Sequence, residues 1–173
     1  MSLDEQVDIV NENDDVVGIV SKQIAHRDGL LHRTVISEVI GSDGSWTLVK
    51  QASDRQDAGQ FVSPIGGHVQ SNESVEDALR REGNEEYGLE GDLSFKCIGK
   101  KIYRRDVNGK KEHHYFILFE IYSDKKPLLN EESIGYEKFT KEQLKQELKD
   151  NPKKFGDAFH FLVETFYKEL LTS

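Results

Sequence analysis

Apolar and polar positions alternate through the first half of the chain in short runs divided by turn residues. Val7–Val10 and Val16–Val20 flank the polar stretch from Asn11 to Asp15, and Thr34–Ile40 and Trp46–Val49 flank Asp43-Gly44. Each pair reads as two strands joined by a tight connection. Asn108-Gly109 sits between runs near Phe95–Arg105 and Glu112–Tyr122, the residue pair that a two-residue hairpin turn favours. Between these blocks the period becomes helical. Ser74 with Asp77 caps a stripe that opens with Val75, Ala78 and Leu79, and Gly88-Leu89 fits a left-handed helix end. Thr140 with Gln143 opens a further helix to about Asp150, and Phe155, Ala158, Phe159, Leu162, Phe166 and Leu170 mark a last amphipathic helix over 155–172. Strands, a helix, more strands and two terminal helices predict an α/β chain with a mixed sheet between helical layers, in one domain spanning residues 1–173.

Composition narrows the partners. With 23 Lys and Arg against 32 Asp and Glu the formal net charge is −9, which argues against a nucleic-acid polymer, since such binding rests on neutralising phosphates with cations. No apolar run approaches the roughly 20 residues that span a bilayer, and no basic and apolar leader opens the chain. The single cysteine, Cys97, rules out an internal disulfide and suits a reducing cytoplasm. Its apolar neighbours predict a buried thiol. Trp46, Phe61 and Tyr103 read as core side chains ahead of base-stacking ones, and a homodimer stays open.

One charge pattern needs an explanation. At about 100° per residue, Glu82, Glu85 and Glu86 fall within an arc of roughly 100°. Like charges at this spacing cost about 0.2–0.5 kcal/mol per pair, and the macrodipole disfavours anions in the C-terminal half of a helix. Glu76 with Arg80, Asp77 with Arg81 and Arg81 with Glu85 are spaced for pairing. Glu86 has no such partner. A divalent cation holding a phosphate chain would compensate the cluster, with Lys50 and Arg55 as candidate phosphate contacts.

The segment from Gly67 to Leu89 resembles the Nudix box, Gly-x5-Glu-x7-Arg-Glu-U-x-Glu-Glu-x-Gly-U with U a large aliphatic residue. Gly67, Glu73, Arg81, Glu82, Glu85, Glu86 and Gly88 all match. Gly83 departs, in the first U position. A glycine inside a helix costs about 1 kcal/mol against alanine, which puts the local packing of helix on sheet in question. The resemblance implies a Nudix-type α/β/α sandwich. It also implies a hydrolase using Mg²⁺, or Mn²⁺, to split the P–O–P bridge of a nucleoside diphosphate derivative or related small-molecule diphosphate. Glu82 and Glu86 would be metal carboxylates, the Gly66 carbonyl a further oxygen, Glu85 a third ligand or the general base, and Arg81 the residue that orients them.

Outside the box, VDIVNENDDVVG, AHRDGLLHRTV and Gly67-His68 resemble the isopentenyl-diphosphate isomerase branch of that superfamily, over about residues 7–122. That resemblance implies a second metal site from His26, His32, His68 and Glu112, with His114 where the branch has another glutamate. Glu112 and His114 are two apart on a strand and share a face, whereas His113 points away. The branch's proton-transferring cysteine is replaced by Gly66, which has no group to move a proton. A hydrolase is therefore the leading expectation. An isomerase-like enzyme and a noncatalytic nucleotide-binding domain are the alternatives.

Overall fold

The structure is a computed structural model that describes residues 5–55 and 57–172, so the start of the chain, read above for a leader, lies outside the described residues. Strands β1 (Gln6–Val10) and β2 (Val16–Ser21) form the first hairpin, followed by helix α1 (Lys22–Asp28). The order continues with β3 (His32–Ile40), β4 (Trp46–Gln51), β5 (Phe61–Val62), β6 (Ile65–His68), and α2 (Val75–Glu82). Strands β7 (Phe95–Val107), β8 (Lys110–Tyr122) and β9 (Ser133–Phe139) precede α3 (Lys141–Asp150) and α4 (Asp157–Phe166). Among the described residues all these strands join one mixed sheet. β3 lies at its centre, antiparallel to β1, β4 and β6 and parallel to β8 from His32 opposite His114 to Ile40 opposite Tyr122.

Side chains alternate between the two faces of a strand, and that alternation sorts the core into two layers. Val35, Val39, Ile117, Phe119 and Ile121 pack under α2 with Ala78, Leu79 and Tyr87. Ile36, Phe116 and Leu118 face the other way, against Leu144 and Leu148 of α3 and Phe159, Leu162 and Val163 of α4. This is the expected α/β/α sandwich.

Local signals hold where the turn chemistry is strong. Asn108 and Gly109 both have positive φ, 51° and 76°, as a two-residue hairpin demands, and Thr140 and Gln143 form the reciprocal capping box.

Four expectations are revised. The box helix does not continue as an α-helix to Gly88: Gly83–Tyr87 form a π turn, a local widening common at functional sites. Gly83 is well packed, because a Cβ there would lie 3.8 Å from Leu89 and Leu93 and 3.9 Å from Ile65. The last helix ends at Phe166 instead of running to 172. Tyr167 leaves helical conformation at φ −131°, ψ 47°, and a 3₁₀ turn follows over Lys168–Leu171. Tertiary contacts cause this break. The Tyr167 ring lies 4.8 Å from that of Trp46, and its hydroxyl donates to Glu120 Oε2 at 2.7 Å. Finally, Cys97 is exposed, next to an irregularity in the β7–β8 register.

Glu38 on β3 is fully buried: its Oε2 accepts from Ser63 Oγ at 2.6 Å, while Oε1 has no hydrogen-bond partner. Burial first, then the neighbouring Glu120, pushes its carboxyl from the ordinary 4.5 up to about 8. Between those values the folded chain holds a proton that the unfolded chain has released. Stability from this group is therefore full below about pH 4.5 and falls by up to about 1.4 kcal/mol per pH unit until the folded group ionises near pH 8. Urea denaturation from pH 5 to 9 should show that decline in the native chain and a flatter profile in Glu38→Gln. Because Gly83 has helical dihedrals and room for a methyl group, Gly83→Ala should raise unfolding stability by about 0.5–1 kcal/mol in the same assay.

Candidate metal and active site

The loop after β6 and helix α2 are joined through one guanidinium. Arg81 donates from Nε to Glu73 Oε2 at 2.8 Å and from Nη2 to Glu73 Oε1 at 2.9 Å. It also donates from Nη1 to Glu82 Oε1 at 2.6 Å and from Nη2 to the His68 carbonyl at 2.9 Å. Glu73 is held further by the Gln70 amide at 3.0 Å. Glu82 is thereby pressed against β6, where only glycine leaves space: a Cβ on Gly67 would sit 2.2 Å from the Glu82 carboxylate. Glu86 is half-buried beside Glu82, in hydrogen-bond contact with it and with the backbone of Gly66. Burial raises the pKa of both carboxyls, and for Glu86 the adjoining Glu82 adds to the effect. A shared proton relieves the repulsion between two such groups, and so does a cation. Every donor here is an oxygen, which suits a hard ion such as Mg²⁺. Glu85 is the exposed member, 59% accessible and 3.7 Å from Arg81.

A second centre lies on the opposite face of the sheet. Gly66 and His68 face the α3/α4 layer while Gly67 faces α2, following the alternation of β6. There His26 from α1, His32 from the start of β3, His68 and His114 from β8 bring ligand nitrogens within 4.8 Å of one another. His32 Nδ1 donates to the Leu30 carbonyl at 2.8 Å, which leaves its Nε2 as a bare acceptor. That atom and His26 Nε2 are buried without a hydrogen-bond partner. His114 Nδ1 is 2.7 Å from Thr34 Oγ1, the kind of outer contact that orients a metal-ligating imidazole. Burial lowers the pKa of all four rings, that of His32 to about 4, so neutral lone pairs are available at pH 7. Orphaned buried nitrogens that converge in this way fit a divalent ion of the Zn²⁺ or Mn²⁺ kind. Glu112 stands at the edge, its Oε2 4.0 Å from His114 Nε2. His113 points away and lies 3.5 Å from Asp106.

The remaining candidates are dispersed. Lys50 is exposed at the end of β4. Arg55 is 3.5 Å from Glu132, a residue close enough to Glu86 to raise its pKa. Trp46, Phe61 and Tyr103 are core residues. Sequence reasoning missed Thr34, Glu132 and Arg105, which meet His114, Arg55, and Asp57 with Asp157 across long stretches of chain.

A family model described as NUDIX domain matches residues 30–159. The chain belongs to the Nudix family. Its relatives within that family include an isopentenyl-diphosphate Delta-isomerase of Aliivibrio fischeri strain MJ11, 32% identical over 97% of this chain and 96% of the relative. A Nudix hydrolase of Deinococcus radiodurans is 31% identical over 96% of each chain. Among solved structures, the crystal structure of DR0079 from Deinococcus radiodurans has a TM-score of 0.74 at 28% identity, covering 94% of this chain and 99% of that one. The MutT protein of Methanosarcina mazei Go1, 22% identical over 82% of this chain and 96% of that one, shares the Nudix fold with a TM-score of 0.64.

The close approach of Gly67 to Glu82 gives this Nudix chain a sensitive point. Gly67→Ala should displace a flexible carboxylate at little cost in stability. Calorimetric titration with Mg²⁺, which the oxygen-only site favours, should show affinity reduced at least about tenfold, about 1.4 kcal/mol or more, with an unchanged circular dichroism spectrum.

Proposed function

We propose that this protein is a divalent-metal-dependent Nudix hydrolase that splits the P–O–P linkage of a nucleoside diphosphate derivative or a related diphosphate. The observation that carries this reading is the carboxylate pair Glu82 and Glu86: Glu82 lies against Gly67 and is braced by Arg81, and Glu86 contacts Glu82 and the Gly66 backbone. Glu82 and Glu86 would hold Mg²⁺, or Mn²⁺, with the Gly66 carbonyl as a further oxygen. When bound there, such an ion would neutralise diphosphate charge and lower the pKa of the attacking water. Glu85, exposed and held only by the 3.7 Å contact with Arg81, has the freedom to accept that water's proton. Water oxygen bonds to phosphorus as the bridging P–O bond breaks, and the leaving phosphate departs with the bridging oxygen. Arg81 orients the carboxylates, and Lys50 and Arg55 meet the phosphate chain from the rim. His26, His32, His68 and His114, with Glu112, form a second metal centre on the other face of β6. We read the chain as a single cytoplasmic domain.

An isomerase-like reading draws support from that histidine centre and from the relatives named as isomerases. Gly66 weighs against it, since it has no side chain. Cys97 does not substitute: it is exposed opposite Phe119, well along the β7–β8 ladder from His114, which faces Tyr103. A panel of nucleoside triphosphates, dinucleotides, sugar nucleotides and isoprenoid diphosphates, assayed with Mg²⁺ and Mn²⁺, separates the two. Phosphate-bond cleavage is expected, and Glu82→Gln should lower its kcat at least about 100-fold, some 2.7 kcal/mol. Double-bond migration without cleavage, or full activity in Glu82→Gln, would sink the hydrolase assignment.

A further inference from the structure

Arg105 on β7 lies among three carboxylates drawn from three parts of the fold. Its Nη1 is 3.0 Å from Asp157 Oδ2 at the first position of α4 and 3.3 Å from Asp57 Oδ1 in the connection between β4 and β5. Its Nη2 is 3.7 Å from Glu112 Oε2, its register partner on β8. The same Glu112 oxygen is 4.0 Å from His114 Nε2. One carboxylate oxygen thus stands between the guanidinium and the rim of the histidine centre. The side chain of Arg105 is only 13% exposed and its Nε is buried without a hydrogen-bond partner, so the group is confined rather than free to swing into solvent.

Asp57 is also tightly placed. It has φ of 49°, and a Cβ on Gly156 would come within 3.2 Å of its carboxylate. Gln60, in the same connection, donates to the carbonyls of Lys153 and Phe155 at 2.9 and 3.2 Å. The backbone leading into α4 and the 57–60 turn therefore fix the guanidinium, and the guanidinium faces Glu112. Carboxylates that ligate metal are commonly steadied by such outer partners, whose removal costs about 10–100-fold in affinity.

We propose that Arg105 is a positioning residue that holds Glu112 as the fifth ligand of the histidine centre and ties that ligand to the 57–60 turn through Asp57. This rests on the reading of His26, His32, His68, His114 and Glu112 as a metal centre.

The test is a Co²⁺ titration of the full chain in excess Mg²⁺, which occupies the oxygen-only box, followed by visible absorption. Arg105→Gln is expected to weaken Co²⁺ binding about 10–100-fold and to shift the absorption band toward that of Glu112→Gln. Adding Arg105→Gln to Glu112→Gln should change nothing more. Arg105→Lys should restore part of the affinity, and Asp57→Asn should weaken binding less than Arg105→Gln does. These two variants carry the test should Arg105→Gln fail to fold, and wild-type affinity and spectrum in both would then overturn the proposal. Unchanged affinity and spectrum in Arg105→Gln, even with a lower Tm, would reduce Arg105 to a strut between Asp57 and Asp157. If Glu112→Gln leaves Co²⁺ binding intact, the inference falls while the four-histidine centre stands. If the native chain binds no Co²⁺, both fall.

Discussion

The candidate acidic site depends on the Arg81 guanidinium, which gathers the Glu73 carboxylate, the Glu82 carboxylate and the His68 carbonyl. Those three groups belong to the end of a loop, the end of a helix and the end of a strand. Charge-assisted bonds of this sort are the stronger class of hydrogen bond, and the geometry of the guanidinium sets their directions. The His68 ring joins the imidazole cluster while its carbonyl accepts from Arg81, so the two candidate sites share a single strand end. They stand back to back across β6.

The sequence Gly66-Gly67-His68 shows how a strand's alternation serves two chemistries at once. Gly67 faces α2 and must be small, since the Glu82 carboxylate occupies the volume that a side chain would take. His68 faces the other way and is nearly enclosed by three more imidazoles. Gly66 points to that same side, near Ile36. An oxygen-rich site and a nitrogen-rich site thus occupy opposite faces, and their donor atoms favour different ions.

Much of this was legible from local sequence, and the reason is physical. Turn dihedrals and helix caps involve residues a few positions apart, so Asn108-Gly109 and Thr140 with Gln143 announce themselves. The box spacing likewise records contacts within one loop and one helix. Helix α1 carries its own signals, a Ser21 cap and a left-handed Gly29, yet it buries only Ala25 and leaves no apolar stripe to read. Strand β9 is an edge strand that buries only Phe139, so its hydrophobic pattern is faint. The end of α4 and the surroundings of Arg105 were invisible for a different reason. Tyr167 answers to Glu120 and Trp46, and Arg105 to Asp57 and Asp157, all distant along the chain. The histidine cluster was found through likeness to a family, because no local period brings His26, His32, His68 and His114 together.

The contact between Trp46 and Tyr167 has a practical consequence. Trp46 is the only tryptophan in the chain, it is buried, and the rings of Tyr167 and Phe159 approach it edge-on at 4.8 and 6.4 Å. Its indole is therefore an intrinsic fluorophore seated where Tyr167, at the start of the Lys168–Leu171 turn, docks. Undocking of that turn would expose the indole to water and shift its emission to the red, an optical signal for this region that requires no added label.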